Sequence, residues 1–235
     1  ATMMDSITIK NNEFTDFSYY GLYFRGYKNV NISNNKIIHR KTGGYSYPYG
    51  LYLYYRDFID VVSNEVTLYN TSSSYSRAFY LYYCDGSSTN RNLIANNMLS
   101  KPVVGTSSSG HADYIYLCNY SDIVNNSWYG KHVYNSSSYG MLRLYPGTGS
   151  QFSNNTIFND GGAGYCVNFV TTATTEKNNN YYNTSTNKRY PTTGGTGNIS
   201  VNPGYVSTTD LHIGTPALDA KGTPLTINTV DIDGD

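Results

Sequence analysis

NLIANNML at residues 92–99 and SDIVNNSW at 121–128 share one pattern: an alternating strand, then an Asn pair, then an apolar residue two positions on. The pattern extends in both directions, as ITIKNNEF (7–14), VNISNNKI (30–37), IDVVSNEV (59–66), SQFSNNTI (150–157) and, degraded, TTEKNNNY (174–181). Its second Asn falls at 12, 35, 64, 97, 126, 155 and 179, in steps of 23, 29, 33, 29, 29 and 24. A period in the twenties to low thirties that tolerates insertions marks a solenoid.

A second pattern runs in phase with the first: LYF (22–24), LYL (51–53), FYL (79–81), IYL (115–117), LRL (142–144) and VNF (167–169). Apolar residues alternate with an outward position, the signature of a strand with one buried face. Each coil therefore carries at least two strands joined by Gly-, Asn- and Ser-rich turns. No segment sustains a 3.6-residue period, which excludes helical repeats, and the coils are too short for propeller blades. The expected fold is all-β, a parallel β-helix of about seven coils over 1–197, with a terminal coil and irregular tail over 198–235. Leu53, Leu81, Leu117 and Leu144 are expected to point inward. Asn12, Asn35, Asn64, Asn97, Asn126, Asn155 and Asn179 should form a ladder at one corner, each amide donating to the next carbonyl. Asn also tolerates the left-handed backbone that a sharp corner needs.

Sixteen basic and sixteen acidic residues cancel, and only 14% of the chain is charged, so no nucleic-acid footprint is indicated. No apolar run approaches the roughly 20 residues that span a bilayer. Polarity comes from Asn, Ser, Thr, Gly and 27 tyrosines. Three cysteines, Cys84, Cys118 and Cys166, are too few for a disulfide framework and lack zinc spacing. Cys84 and Cys118 are expected to be free thiols. His39, His132 and His212 show no ligand spacing.

The NNxI-type coils resemble the right-handed β-helix repeats of pectate-lyase-like proteins. The tail NISVNPGYV (198–206), followed by DLHIGTPALDA (210–220), is similar to the last coil of secreted bacterial β-helix proteins. In those, N-I-x-x-D-P-x-F is followed by D-x-x-L-x-x-x-S-P-A-I-D-x-G; here Asn202 and Thr215 replace the usual Asp and Ser. The ending DIDGD (231–235) resembles a D-x-D-G-x-x-R ending cut off before its Arg. The resemblance implies a right-handed coil and an extracellular or cell-surface location. It leaves activity open, because such proteins include lyases, hydrolases and adhesins.

Aligning the second strand on its last apolar residue stacks the outward positions. One column reads Tyr23, Tyr52, Tyr80, Tyr116, Arg143 and Asn168; its neighbour reads Arg25, Tyr54, Tyr82, Cys118, Tyr145 and Val170. Tyr19, Tyr20, Tyr47, Tyr49, Tyr75 and Tyr139 add a side wall. Tyrosine joins a flat apolar ring to a hydroxyl, which suits contact with sugar rings or a protein interface. Tyrosine is also a good strand former whose rings stack between coils. The expected binding residues are Tyr23, Tyr52, Tyr54, Tyr80, Tyr82, Tyr116, Tyr145 and Arg143, with a polysaccharide or a protein as partner.

Asp57 and Asp85, with Arg56 beside the first, share an outer column whose other members are Lys28, Ser121 and Thr148. Two stacked carboxylates are candidates for acid and base in glycoside hydrolysis or for holding Ca²⁺, while turn aspartates are commonly turn formers. A lyase would want a basic residue beside a cationic cluster, and Arg25 and Arg143 lie three or more coils apart. Arg77 and Asp113 read as a salt bridge near His111. The leading expectation is a non-catalytic binding solenoid without a cofactor. Its rivals are a polysaccharide lyase or glycoside hydrolase, and a fibre subunit stacking end to end. The strand at 7–9 begins almost at the first residue, so that end is expected to need a cover from a preceding segment or a partner. An end-to-end contact would generate a filament.

Overall fold

The computed structural model describes residues 6–40, 47–69, 76–103, 112–133, 140–171, 175–186 and 188–225. Nearly every strand runs parallel to its counterpart on the next coil, which builds a parallel β-solenoid from one 13-stranded and one 7-stranded sheet. Each central turn contributes three strands, in keeping with the expected minimum of two. In a central turn these are Asn92–Ala95, Met98–Lys101 and Asp113–Cys118. One strand, Tyr49–Val62, bends across two flanks and joins them into the larger sheet. The fully enclosed solenoid amounts to about four turns rather than seven. In the first repeat Ile7–Lys10 and Glu13–Thr15 stay half-exposed, and in the last Arg189–Tyr190 is only two residues long.

Inward residues stack as the period-two pattern requires. Ile37, Val66, Leu99, Trp128, Ile157 and Tyr181 form one column in the 7-stranded sheet, all buried. Leu53, Leu81 and Leu144 are fully buried on the opposite flank.

Leu117 does not join them. The register pairs Ile115 with Leu81 and Tyr114 with Tyr80, two residues away from the alignment of IYL with FYL. Leu117 takes a left-handed φ of 46° at an irregularity between Tyr116 and Cys118, and stays half-exposed. The same two-residue displacement brings Asp113 opposite Leu142, at a core position. Its carboxylate is fully buried and accepts from Lys101 Nζ at 2.8 Å, Ala78 N–H at 2.8 Å and Trp128 Nε1 at 3.1 Å. Burial pushes the Lys101 amine below its ordinary range against the pull of Asp113. The expected Arg77–Asp113 pair is therefore replaced. Arg77 donates to Ala112 O and lies over the Tyr114 ring at 4.4 Å. His111 lies outside the described residues.

The corner ladder forms. Asn12, Asn35, Asn64, Asn97, Asn126, Asn155 and Asn179 each donate Nδ2 to the next Oδ1, at 2.8 to 3.3 Å, and the chain of amides continues to Asn198. The same Oδ1 atoms accept backbone N–H groups from the preceding coil. The left-handed position is not the ladder residue but the one before it: Asn11, Asn34, Ser63, Asn96, Asn125, Asn154 and Asn178 all have φ between 52° and 59°. The two residues of each pair thus divide the work, one bending the chain and the other satisfying the bend.

Beyond the last coil the tail folds back along the outside of the 7-stranded sheet. Leu211, fully buried, and Tyr205 pack against Met98, Tyr129 and Phe158. Cys84, Cys118 and Cys166 are buried thiols that form no disulfide, as expected for Cys84 and Cys118. Among the described residues no helix is long and apolar enough to cross a membrane.

Asn97→Ala should cost about 3 to 5 kcal/mol, because the Asn64 amide, Val61 O and Asn126 Oδ1 all lose a buried partner. Ser63→Asn should add about 0.5 kcal/mol, since Asn occupies the left-handed region more readily than Ser. Urea midpoints of the two variants check both signs.

Candidate binding face

The tyrosine columns lie on the outer side of the flank that contains Tyr20–Arg25, Arg77–Asp85, Asp113–Cys118 and Gly140–Pro146. With the observed register the first column reads Tyr23, Tyr52, Tyr80, Tyr114, Arg143 and Asn168. The second reads Arg25, Tyr54, Tyr82, Tyr116 and Tyr145. Tyr116 therefore belongs to the second column, and Tyr114, which the alignment missed, takes its place in the first. Cys118 leaves the outer surface, and Asn168 keeps its place in the first column but is buried. The signal for the correct register was present in YLYYRD (52–57), YLYYCD (80–85) and YIYLCN (114–119), which superpose without a gap.

That motif also exposes a third column. Tyr55 and Tyr83 have φ of 55° and 51°, where the coil before has Gly26 at 76° and the coil after has Leu117. A bulky side chain in the left-handed region is strained. The two rings stack at 5.2 Å with planes 5° apart, and Tyr83 meets Tyr116 edge-on at 5.4 Å.

The rings use their faces on one another. Tyr52 and Tyr80 stack at 4.6 Å and 14°, Tyr54 and Tyr82 at 5.1 Å and 18°, and Tyr82 and Tyr116 at 4.5 Å and 6°. Planes stacked along the solenoid axis turn ring edges and hydroxyls, not ring faces, toward solvent. Arginines end the stacks. Arg25 lies over Tyr54 at 5.4 Å, and Arg143 over Tyr145 at 4.9 Å while donating to the Tyr114 hydroxyl at 3.1 Å. Tyr20 stacks on Tyr49 as a side wall, and Tyr49 accepts from Arg77. Tyr75 and Tyr139 lie outside the described residues.

The carboxylate pair is in register, Asp57 opposite Asp85. Asp57 faces Lys28 at 3.8 Å, and Asp85 accepts from Asn119 Nδ2 at 2.7 Å and Asn119 N–H at 3.2 Å. Asn119, not Ser121, continues this column; Ser121 is buried and pairs with Asn92. Arg56 pairs through its backbone with Cys84, and its side chain lies outside the described residues. No group of three or more His, Cys, Asp or Glu side chains converges among the described residues.

No family model, curated protein or solved structure matches this chain.

Burial, then the phenols of Tyr116, Tyr83, Tyr80 and Tyr54, pushes Tyr82 up to about 12. Burial, then Tyr80 and the phenols around it, raises Tyr52 further. Below pH 10 these phenols are neutral in both folded and unfolded chains. Above it the unfolded chain loses its protons first, so the stability held in the stack is lost as pH climbs from about 10 through 12. Absorbance titration of phenolate should show a late-ionising group of tyrosines, and the urea midpoint should fall as pH rises from about 10 through about 12.

Proposed function

We propose that this chain is a non-catalytic binding solenoid, secreted or displayed on a cell surface, whose tyrosine face lies against an extended polysaccharide. The observation that carries the reading is the second column, where Tyr54, Tyr82, Tyr116 and Tyr145 follow at steps of 5.1, 4.5 and 4.5 Å. One phenol per step is close to one hydroxyl contact per sugar unit of a glycan laid along the axis. The stacking geometry changes the expected chemistry: ring edges and hydroxyls, not open ring faces, would meet the sugar. Strained backbone at Tyr55 and Tyr83 supports a role for the face beyond packing, since glycine would relieve that strain. The engagement of Asp57 by Lys28 and of Asp85 by Asn119 favours binding over hydrolysis.

A glycan array on the purified protein identifies the class of ligand. Tyr→Phe at Tyr54, Tyr82 and Tyr116 together then removes three hydroxyls while keeping the stack. Affinity should fall roughly tenfold to a few hundredfold, with little change in melting temperature. Full binding by the triple Phe variant would rule out hydroxyl recognition. Loss of higher-order particles in electron microscopy, with no glycan bound by either protein, would make the face a protein interface.

A further inference from the structure

The tail is held to the solenoid by a repeated device. Asn180 donates Nδ2 to Val201 O at 2.8 Å and accepts Val201 N–H on Oδ1 at 2.9 Å. Asn154 does the same with Thr223, at 2.8 and 2.9 Å. One side-chain amide thus closes a two-bond ring on a single residue's N–H and C=O. Asn178, one coil further on, donates to the Thr223 hydroxyl. The approach is close: a Cβ added at Gly222 would come within 3.3 Å of the Asn154 amide. A side chain in place of Gly222 would press on that amide and shift it by a few tenths of an ångström.

Asn154 and Asn178 are consecutive members of the left-handed corner column. At the other end of that column stand Asn11 and Asn34, also consecutive, with φ of 59° and 54° against 58° and 52°. Both are exposed. A cavity of about 320 Å³ opens beside them, bounded by Glu13, Lys36, Ser63 and Glu65. Lys36 faces Glu65 at 3.4 Å, which leaves Glu13 as the additional charge of this corner. The tail's own seated segment places Lys221 before Gly222.

We propose that Asn11 and Asn34 form a second seat for an extended main chain, supplied by another polypeptide through a basic–Gly–Thr segment. Asn11 closes the two-bond ring on the Thr main chain, and Asn34 takes the hydroxyl, as Asn154 and Asn178 do for Thr223. Glu13 receives the basic side chain. Gly at the close-approach position lets the occupant's main chain reach the amides without displacing them, as at Gly222.

The probe is the hexapeptide of residues 220–225, AKGTPL, titrated into the isotope-labelled full chain and followed by NMR. The expected result is saturable shifts of the Asn11 and Asn34 side-chain amides. Asn11→Gly combined with Asn34→Gly keeps the left-handed backbone but removes both amides. It should weaken binding roughly tenfold or more at unchanged melting temperature. The peptide AKATPL should bind more weakly than AKGTPL. Shifts confined to Asn154 and Asn178 would mean that the peptide only exchanges with the chain's own tail, and would overturn the second seat. Equal affinity for the wild type and the double Gly variant, or no shift at any of the four Asn side chains, would overturn it as well.

Discussion

The solenoid depends on how the backbone survives one corner of every coil. A parallel strand that turns sharply leaves N–H and C=O groups that the sheets cannot reach, and burying them unpaired costs about 1 to 3 kcal/mol each. The ladder from Asn12 to Asn198 removes that cost on coil after coil. Each amide accepts from the coil before it, and its Nδ2 donates to the coil after it and, from Asn35 onward, to a carbonyl of an adjacent strand, such as Ile9 O, Ile32 O or Val61 O. Because every rung completes the one before, the ladder also keeps the coils in register. Insertions can then lengthen the other loops without disturbing the stack.

Two departures from the repeat tell against pure packing. Asp113 replaces an apolar core residue, and its charge is compensated by Lys101, Trp128 and the Ala78 N–H. A buried pair of this kind is not needed for stability, which well-packed apolar residues supply as well or better. It sets this coil apart from the next, where Leu142 holds the paired position. The second departure is Tyr55 and Tyr83 in left-handed backbone, on the face where the tyrosines concentrate.

Ring stacking determines what that face presents. Sheet geometry places successive coils at about 4.8 Å, close enough for phenols in one column to cover each other. Covering satisfies the ring faces internally and leaves hydroxyls and edges as the outward chemistry. The same coil spacing thus rigidifies the face and gives its hydroxyl array a regular step, with Arg25 and Arg143 covering the rings at its ends.

The solenoid, its parallel strands, three of the four expected inward leucines (Leu53, Leu81 and Leu144) and the Asn ladder were legible in the sequence, because each follows from a short pattern repeated at a near-constant interval. The tyrosine face was legible as composition and as two columns, but the placement of Tyr114, Tyr116, Leu117 and Asp113 was not. Aligning on apolar residues assumes that apolar means inward, and at 113–117 an inward Asp and an outward Leu break that assumption together. Only the pairing of strands across coils decides such a register. Tertiary structure alone also decided which way the rings turn, which partner each carboxylate takes, and where the tail docks. Those outcomes depend on groups distant in sequence meeting in space, as Asn119 meets Asp85, 34 residues away, and Ser100 meets the Thr208 carbonyl, 108 residues away. No local pattern encodes that meeting.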